Sequence, residues 1–227
     1  DHHRAVLSQW LTQLDMTLNA EELLITQGGQ HGISLTLGTL LRPGELVAAD
    51  ALTYPGAISA AQQAHLKVVG IPFDQDGMCM EALEAQCARQ PPRLIYLTPD
   101  QNNPTGLCLS EARREQLVAL ARRYDIWLLE DGVQYLPDEQ RGTPLYELAP
   151  ERTLFVFSTA KVLAGGLRMG VLRAPRTMDE LRARYVSRRP PSRHRRDSYP
   201  GVMEVGGLFF EFGAVRTVSS EYDAPHR

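Results

Sequence analysis

Short apolar runs alternate with helix-like segments along most of this chain, and this alternation is the strongest constraint on its fold. Strands separated by helices predict a mostly parallel sheet covered by helices, because a parallel connection must cross over the sheet. The predicted strands are residues 23–26, 46–49, 68–71, 94–97, 126–129, 154–157 and 169–173. The predicted helices are residues 30–41, 57–64, 80–89 and 111–124, the last capped by Ser110. The 227 residues, 43% of them hydrophobic, suffice for one large α/β domain.

Polar side chains follow two of the predicted strands where those strands end. Strand 94–97 runs into an Asn/Pro/Gly-rich turn that contains Asn103, and strand 126–129 is followed by Glu130 and Asp131. Open parallel sheets bind ligands at the carboxyl ends of their strands, so Asn103 is placed to offer an amide to a ligand. A carboxylate that closes an apolar strand is costly without a cationic partner, and a protonated pyridine nitrogen is such a partner. The alternative is an aspartate that caps the segment after it.

Lys161 is one of only two lysines in the chain, the other being Lys67. It follows the predicted strand 154–157, with Ser158 three residues before it and Arg168 seven residues after it. A lysine amine can bond covalently to an aldehyde, whereas a hydroxyl and a guanidinium can hold a phosphate. This combination is what pyridoxal 5'-phosphate requires of a protein. The alternative is a surface lysine that follows a strand.

Gly28 and Gly29 separate the predicted strand 23–26 from the predicted helix 30–41. The free N–H groups at the start of a helix attract an anion, and glycines leave no Cβ in its way. The sequence therefore predicts a phosphate site at this helix start.

These motifs occur in the order found in the aspartate-aminotransferase superfamily of fold type I pyridoxal-phosphate enzymes, which the chain resembles from its start to about residue 181. The shared motifs are Gly28-Gly29-Gln30-His31-Gly32, Tyr54-Pro55-Gly56, Asn102-Asn103-Pro104-Thr105-Gly106, Glu130-Asp131, Ser158-x-x-Lys161 and Gly166-Leu167-Arg168-x-Gly170. The resemblance extends especially to the branch shared by aminoadipate and kynurenine aminotransferases and by the MocR-type regulators of the GntR family. It implies the large domain of a fold type I transferase.

The resemblance also implies a role for each matching residue. Lys161 would be the Schiff-base lysine and proton shuttle, Asp131 would pair with the pyridinium nitrogen, and Tyr54 would stack on the ring; these three are the implied catalytic residues. Asn103 would hydrogen-bond the phenolic oxygen of the cofactor. The implied phosphate ligands are Gly29, Gln30, Ser158 and Arg168.

The chain departs from the family pattern in two respects. Many relatives place a tyrosine two or three residues after the aspartate, where this sequence has Val133 and Gln134, with Tyr135 next. Either Tyr135 or Gln134 substitutes for that tyrosine, or one contact with the cofactor is lost. The small C-terminal domain of the family and its N-terminal segment are not recognisable. We predict an incomplete large domain over residues 1–188 and a divergent Arg-rich tail over residues 189–227, either disordered or able to contact phosphates of a nucleic acid.

Composition argues against several classes of protein. No apolar run is long enough to span a bilayer, and the start of the chain does not resemble a signal peptide. The three cysteines, Cys79, Cys87 and Cys108, are odd in number and lack the spacing of metal ligands. They predict a reduced, cytoplasmic setting and no metal site.

The sequence thus favours a pyridoxal-phosphate-dependent aminotransferase, in truncated form, that exchanges an amino group between an amino acid and a 2-oxo acid. The resemblance also implies a homodimer. One alternative is the effector-binding domain of a MocR-type regulator, which would contact nucleic acid only as part of a longer protein. Others are an inactive remnant that only binds the cofactor, and a different reaction on the same cofactor.

Overall fold

The computed structural model describes residues 2–163, 168–179 and 181–183. The α-helices in these residues are α1 (His2–Thr12), α2 (Gly29–Leu40), α3 (Pro55–Gln63), α4 (Met80–Arg89), α5 (Glu111–Arg123) and α6 (Leu145–Leu148). The strands are β1 (Leu23–Thr26), β2 (Leu46–Asp50), β3 (Lys67–Ile71), β4 (Phe73–Asp74), β5 (Gly77–Met78), β6 (Leu94–Leu97), β7 (Trp127–Asp131), β8 (Thr153–Ser158) and β9 (Gly170–Arg173). The predicted tail, residues 189–227, lies outside the described residues, so the division into domains stays a prediction.

One sheet contains seven of these strands in the order β1-β9-β8-β7-β6-β2-β3, and β4 and β5 form a separate hairpin. Neighbouring strands from β8 to β3 run parallel, whereas β9 is antiparallel to both β1 and β8. The predicted fold class, a mostly parallel sheet covered by helices, is confirmed. Strand β9 is the exception because residues 159–169, which connect it to β8, are fewer than the roughly twelve that a parallel crossover needs.

All seven predicted strands are present, and their ends differ from the prediction by no more than two residues. The sequence pattern does not predict α1, the β4–β5 hairpin or α6. Helix α1 does carry a signal, since Leu7, Trp10 and Leu11 have the spacing of one helix face and are all buried. The hairpin strands and α6 are too short for a periodic pattern to reveal them.

Apolar side chains pack on both faces of the sheet. On one face α2 and α3 pack against Tyr96 of β6 and Leu129 of β7. On the other face α4 and α5 pack against the alternate residues of the same strands. Because side chains alternate along a strand, Asp131 lies on the same face as Leu129, towards α2. Helix α1 packs in a third cluster with residues of β8 and β9. In the described residues, no helix combines the length and apolar character needed to cross a membrane.

A buried arginine on α5 fixes the turn that follows β6. Arg114 is fully buried, and its Nε donates to the Leu109 carbonyl at 2.9 Å. Its Nη2 donates to the Pro99 carbonyl at 3.1 Å and to Asp100 Oδ1 at 2.8 Å, and its Nη1 donates to the Thr143 carbonyl at 3.0 Å. A buried charge is tolerated only when it is paired and hydrogen-bonded, and here the partners are both ends of one turn. Arg114 therefore holds the turn that contains the Asn/Pro/Gly motif.

Replacing this arginine tests how strongly the turn depends on it. We expect Arg114→Met to lower the free energy of unfolding by about 3 to 5 kcal/mol, because Asp100 and three carbonyls lose a buried donor. The matched control on the same helix is Arg122→Met, whose half-exposed ion pair with Glu151 should contribute less than about 1 kcal/mol. Urea unfolding followed by circular dichroism measures both. Equal losses in the two variants would contradict the role assigned to Arg114.

Candidate active site

The start of α2 approaches the ends of β8 and β9 closely at its glycines. Gly28 has a φ of 85°, which favours glycine, and no side chain of the described residues caps the helix start. A Cβ on Gly29 would lie 2.8 Å from Val133 Cγ2, and a Cβ on Gly170 would lie 2.5 Å from the carbonyl carbon of Gly28. The first N–H groups of α2 are therefore left without a side-chain cap, at the edge of the sheet where an anion would meet them.

Tyr54 and Gln30 are brought together at Gly56. Tyr54 precedes Pro55, the first residue of α3, and its half-buried ring lies against Gly56. Gln30 Nε2 donates to the Gly56 carbonyl at 2.8 Å. The side-chain amide of Gln30 therefore joins the start of α2 to the start of α3.

Asp131, the last residue of β7, is only 7% exposed. Its Oδ2 accepts a hydrogen bond of 2.5 Å from Tyr96 Oη, and its Oδ1 accepts one of 3.0 Å from the backbone N–H of Val133. Burial raises the pKa of the Asp131 carboxyl, and the two hydrogen bonds oppose that shift. Asp131 therefore closes a turn, as the simpler interpretation expected, and also presents a buried carboxylate at the carboxyl end of the sheet.

In the turn after β6, two neighbouring asparagines occupy different environments. Asn102 is buried; its Nδ2 donates to the Leu52 carbonyl at 3.0 Å and to Thr105 Oγ1 at 2.8 Å, and its Oδ1 accepts from Thr98 Oγ1 at 2.7 Å. Asn103 is half-buried and precedes Pro104 through a cis peptide bond. Asn102 therefore shapes the turn. No local pattern indicates this role, because its partners lie on both sides of it in the chain and one is fifty residues away.

Lys161 ends a 3-10 turn, Thr159–Lys161, that follows β8 directly. The turn begins at buried Ser158, whose Oγ accepts from the Ala160 N–H at 3.2 Å, and Thr159 Oγ1 donates to the Met169 carbonyl at 3.0 Å. Lys161 is exposed, and no carboxylate of the described residues forms an ion pair with it. The short turn thus leaves its amine available at the carboxyl end of β8.

Arg168 lies close to Ser158, because Ser158 pairs with Gly170 in the β8–β9 ladder. Arg168 is exposed and has a φ of 45°. Gly166 and Leu167 of the same motif lie outside the described residues. The phosphate ligands implied by the resemblance therefore approach one another from α2, β8 and the start of β9.

Val133 and Tyr135, which follow Asp131 in the chain, pack in different parts of the structure. Val133 packs against Gly29 in the α2 layer. Tyr135 packs against the cluster that contains α1, with the Arg141 guanidinium 5.7 Å from its ring centre. The replacement of the family tyrosine in this chain stays a prediction.

Asp50, the last residue of β2, is 9% exposed and lines a cleft with Thr98 and Asn102. Its Oδ1 has no hydrogen-bond partner among the described residues. Burial raises the pKa of this carboxyl from 3.8 to about 6. The residues of this cleft belong to the same edge of the sheet as the candidate site.

The raised pKa of Asp50 predicts a pH dependence of stability. The Asp50 carboxyl binds its proton more tightly in the folded protein than in the unfolded chain. The free energy of unfolding therefore falls as pH rises from about 4 to about 6 and Asp50 ionises. Asp50→Asn removes the titration. We expect the stability of the asparagine variant relative to the parent to increase by roughly 2 kcal/mol between pH 4.5 and pH 8, measured by urea unfolding. A stability difference that is the same at both pH values would contradict this account.

Comparison with known proteins agrees with this geometry. The family model for aminotransferase class I and II matches residues 3–177. The uncharacterized HTH-type transcriptional regulator YdeF of Bacillus subtilis (strain 168) is 31% identical over 162 residues, which are 71% of this chain and 35% of that protein. Aminotransferase swnA of Metarhizium robertsii (strain ARSEF 23 / ATCC MYA-3075) is 31% identical over 205 residues, 84% of this chain and 39% of that protein.

A solved structure extends the likeness to the fold. The crystal structure of LysN, the α-aminoadipate aminotransferase of Thermus thermophilus complexed with N-(5'-phosphopyridoxyl)-L-leucine, matches with a TM-score of 0.71 at 28% identity. The match covers 82% of this chain and 48% of that one. The chain therefore spans less than half the length of each of these three proteins. Within the described residues, no three metal-ligating side chains lie together.

Proposed function

This chain belongs to the class I and II aminotransferase family, and we propose that it forms the cofactor-binding part of a pyridoxal-phosphate-dependent aminotransferase. The observation that carries the proposal is the convergence of three features on one edge of the sheet. These features are the buried carboxylate of Asp131, the uncapped glycine start of α2 and the exposed amine of Lys161. The carboxylate suits a cationic ring nitrogen, the helix start suits an anionic group, and the amine suits an aldehyde.

The residues fit the chemistry of pyridoxal 5'-phosphate. The N–H groups of Gly29 and Gln30, with Ser158 and Arg168, would hold its phosphate, and Asp131 would face its ring nitrogen. Tyr54 would cover one face of the ring. When bound, the cofactor supplies an aldehyde carbon that reacts with amines and a ring that withdraws electrons from the substrate α-carbon.

Asn103 completes this set. The side-chain amide of its neighbour Asn102 already forms hydrogen bonds to the protein, whereas Asn103 is half-buried at the sheet edge. The Asn103 amide would donate to the phenolic oxygen of the cofactor.

Lys161 would act twice in the reaction. Its amine would first hold the cofactor covalently, and an amino-acid substrate would displace it. The same amine would then act as the base that takes the proton of the substrate α-carbon. Asp131 would favour the protonated ring nitrogen, because a carboxylate stabilises an adjacent cation. The overall reaction would convert an amino acid into a 2-oxo acid and a second 2-oxo acid into an amino acid.

The chain spans less than half the length of the relatives it matches, so its substrates and assembly are proposals. We propose an amino acid and a 2-oxo acid as the substrates and a homodimer as the assembly. Cytoplasmic localisation remains a prediction from cysteine usage.

The second candidate function is ligand sensing by a transcriptional regulator. The 31% identity to YdeF over 71% of the chain favours it. In that case the same site would bind the cofactor and an amine without completing transfer, and nucleic acid would be contacted only by another part of the protein. Release of a 2-oxo acid from several amino acids would distinguish the transferase from the regulator.

The covalent bond to Lys161 is the most direct test of the cofactor site. We expect borohydride reduction of the protein with pyridoxal 5'-phosphate to leave the cofactor on Lys161, located by mass spectrometry of peptides, because this amine lies beside the other implied ligands. Lys161→Arg should abolish the adduct. Lys67→Arg is the matched control, since Lys67 is an exposed lysine on the edge strand β3, and it should leave the adduct unchanged. An adduct on Lys67 alone would contradict the proposed site.

A further inference from the structure

Tyr96 is a buried tyrosine behind the candidate site, and none of the roles above includes it. It lies on β6 and is 1% exposed. In the ladder between β6 and β7 it pairs with Leu129, so Asp131 is two residues farther along the neighbouring strand and on the same face. This register aims the Tyr96 hydroxyl at Asp131.

The hydroxyl reaches one specific oxygen of the carboxylate. Tyr96 Oη donates to Asp131 Oδ2 at 2.5 Å, whereas the Val133 N–H donates to Oδ1 at 3.0 Å. Each carboxylate oxygen therefore has one fixed donor from the protein, which sets the plane of the carboxylate. A carboxylate accepts about four hydrogen bonds, so lone pairs remain for a third donor at the sheet edge.

Burial and hydrogen bonding act on Asp131 in opposite directions. Burial raises its pKa and favours the neutral acid, while the Tyr96 hydroxyl and the Val133 N–H favour the ionised form. The Tyr96 hydroxyl is itself a reliable donor, because burial, the nearby charge of Asp131 and the hydrogen bond to it raise the pKa of Tyr96 well above its ordinary value. Without this donor, Asp131 would hold a proton more readily and would offer less charge to a cation.

We propose that Tyr96 is a positioning residue that keeps Asp131 ionised and directs its carboxylate at the ring nitrogen of the cofactor. The proposal rests on the proposed function, since it assigns Tyr96 a part in that same site. Tyr96 acts on the cofactor only through Asp131. Its ring also packs in the core between the sheet and α2, and the test must separate these two contributions.

The test compares two ligands that differ at one ring atom. Pyridoxal 5'-phosphate has the ring nitrogen, and its 1-deaza analogue has a carbon in that position. We expect Tyr96→Phe to weaken binding of pyridoxal 5'-phosphate by roughly 10- to 100-fold, the range for losing a hydrogen bond to a charged group. Binding of the analogue should change by less than about 3-fold, because the analogue has no nitrogen for Asp131 to hold. Dissociation constants are measured by fluorescence titration.

Tyr146→Phe is the matched control. Tyr146 is also buried, at 5% exposure, but its hydroxyl has no hydrogen-bond partner among the described residues. Removing that hydroxyl should leave the ratio of the two dissociation constants unchanged. If Tyr96→Phe weakens both ligands equally, or if the two phenylalanine variants behave alike, Tyr96 has only a packing role and the proposal is overturned.

A second comparison remains valid if Tyr96→Phe alone fails to fold. In Tyr96→Phe the Asp131 carboxylate lacks the hydroxyl donor. Asp131→Asn removes the negative charge of that carboxylate. We expect the double variant Tyr96→Phe/Asp131→Asn to show the same ratio of dissociation constants as Asp131→Asn alone, since Tyr96 acts only through the carboxylate. A further change of ratio in the double variant would contradict the proposal.

The outcomes for the parent protein separate this proposal from the function on which it rests. Suppose that the parent protein prefers pyridoxal 5'-phosphate to the analogue and forms the adduct on Lys161. If Tyr96→Phe then keeps the same preference, only the role of Tyr96 is overturned. If the parent protein shows no preference between the two ligands and no adduct on Lys161, the proposed function and the role of Tyr96 are both overturned.

Discussion

A carboxylate buried at the end of a buried strand is the feature on which the candidate site depends. Asp131 is costly to ionise at its position, and the protein supplies two donors to the carboxylate from β6 and from the following turn. The Tyr96 donor depends on the parallel register of β6 and β7, whereas the Val133 N–H belongs to the turn that Asp131 itself begins. The site is therefore a consequence of the sheet, and a slip of one residue in that register would turn Asp131 to the opposite face.

The two ends of the proposed cofactor site are held by different means. At the phosphate end the backbone itself makes the surface, because α2, β8 and β9 approach closely at Gly29 and Gly170. At the ring end, side chains fix the turn after β6: Asn102 bonds it to Leu52, and Arg114 joins its two ends to the loop at Thr143. Substitutions at the two ends should therefore fail for different reasons, steric at the first and electrostatic at the second.

The sequence predicts most of the sheet because its strands are apolar runs that end in polar motifs. The pattern of strand β9 does not indicate that it is antiparallel; the sequence signal for that direction is the short connection from β8. The sequence also does not reveal the supporting residues Tyr96, Asn102 and Arg114. Their partners include residues far away in the chain, such as Leu52 for Asn102 and Asp131 for Tyr96, and no local pattern reports such pairs. The positions of Lys161, Asp131, Tyr54 and Asn103 on one sheet edge do follow from the order of the motifs, whereas their catalytic roles stay predictions.

The central claim is that Asp131 lies buried at the carboxyl edge of the sheet and would, as a carboxylate, hold a cationic ring nitrogen. The most direct measurement is the nitrogen-15 NMR chemical shift of pyridoxal 5'-phosphate, labelled at its ring nitrogen and bound to the protein. The account predicts the shift of a protonated pyridinium in the parent protein and of an unprotonated pyridine in Asp131→Asn. An unprotonated nitrogen in the parent protein would contradict it, because Asp131 would then be neutral or directed elsewhere.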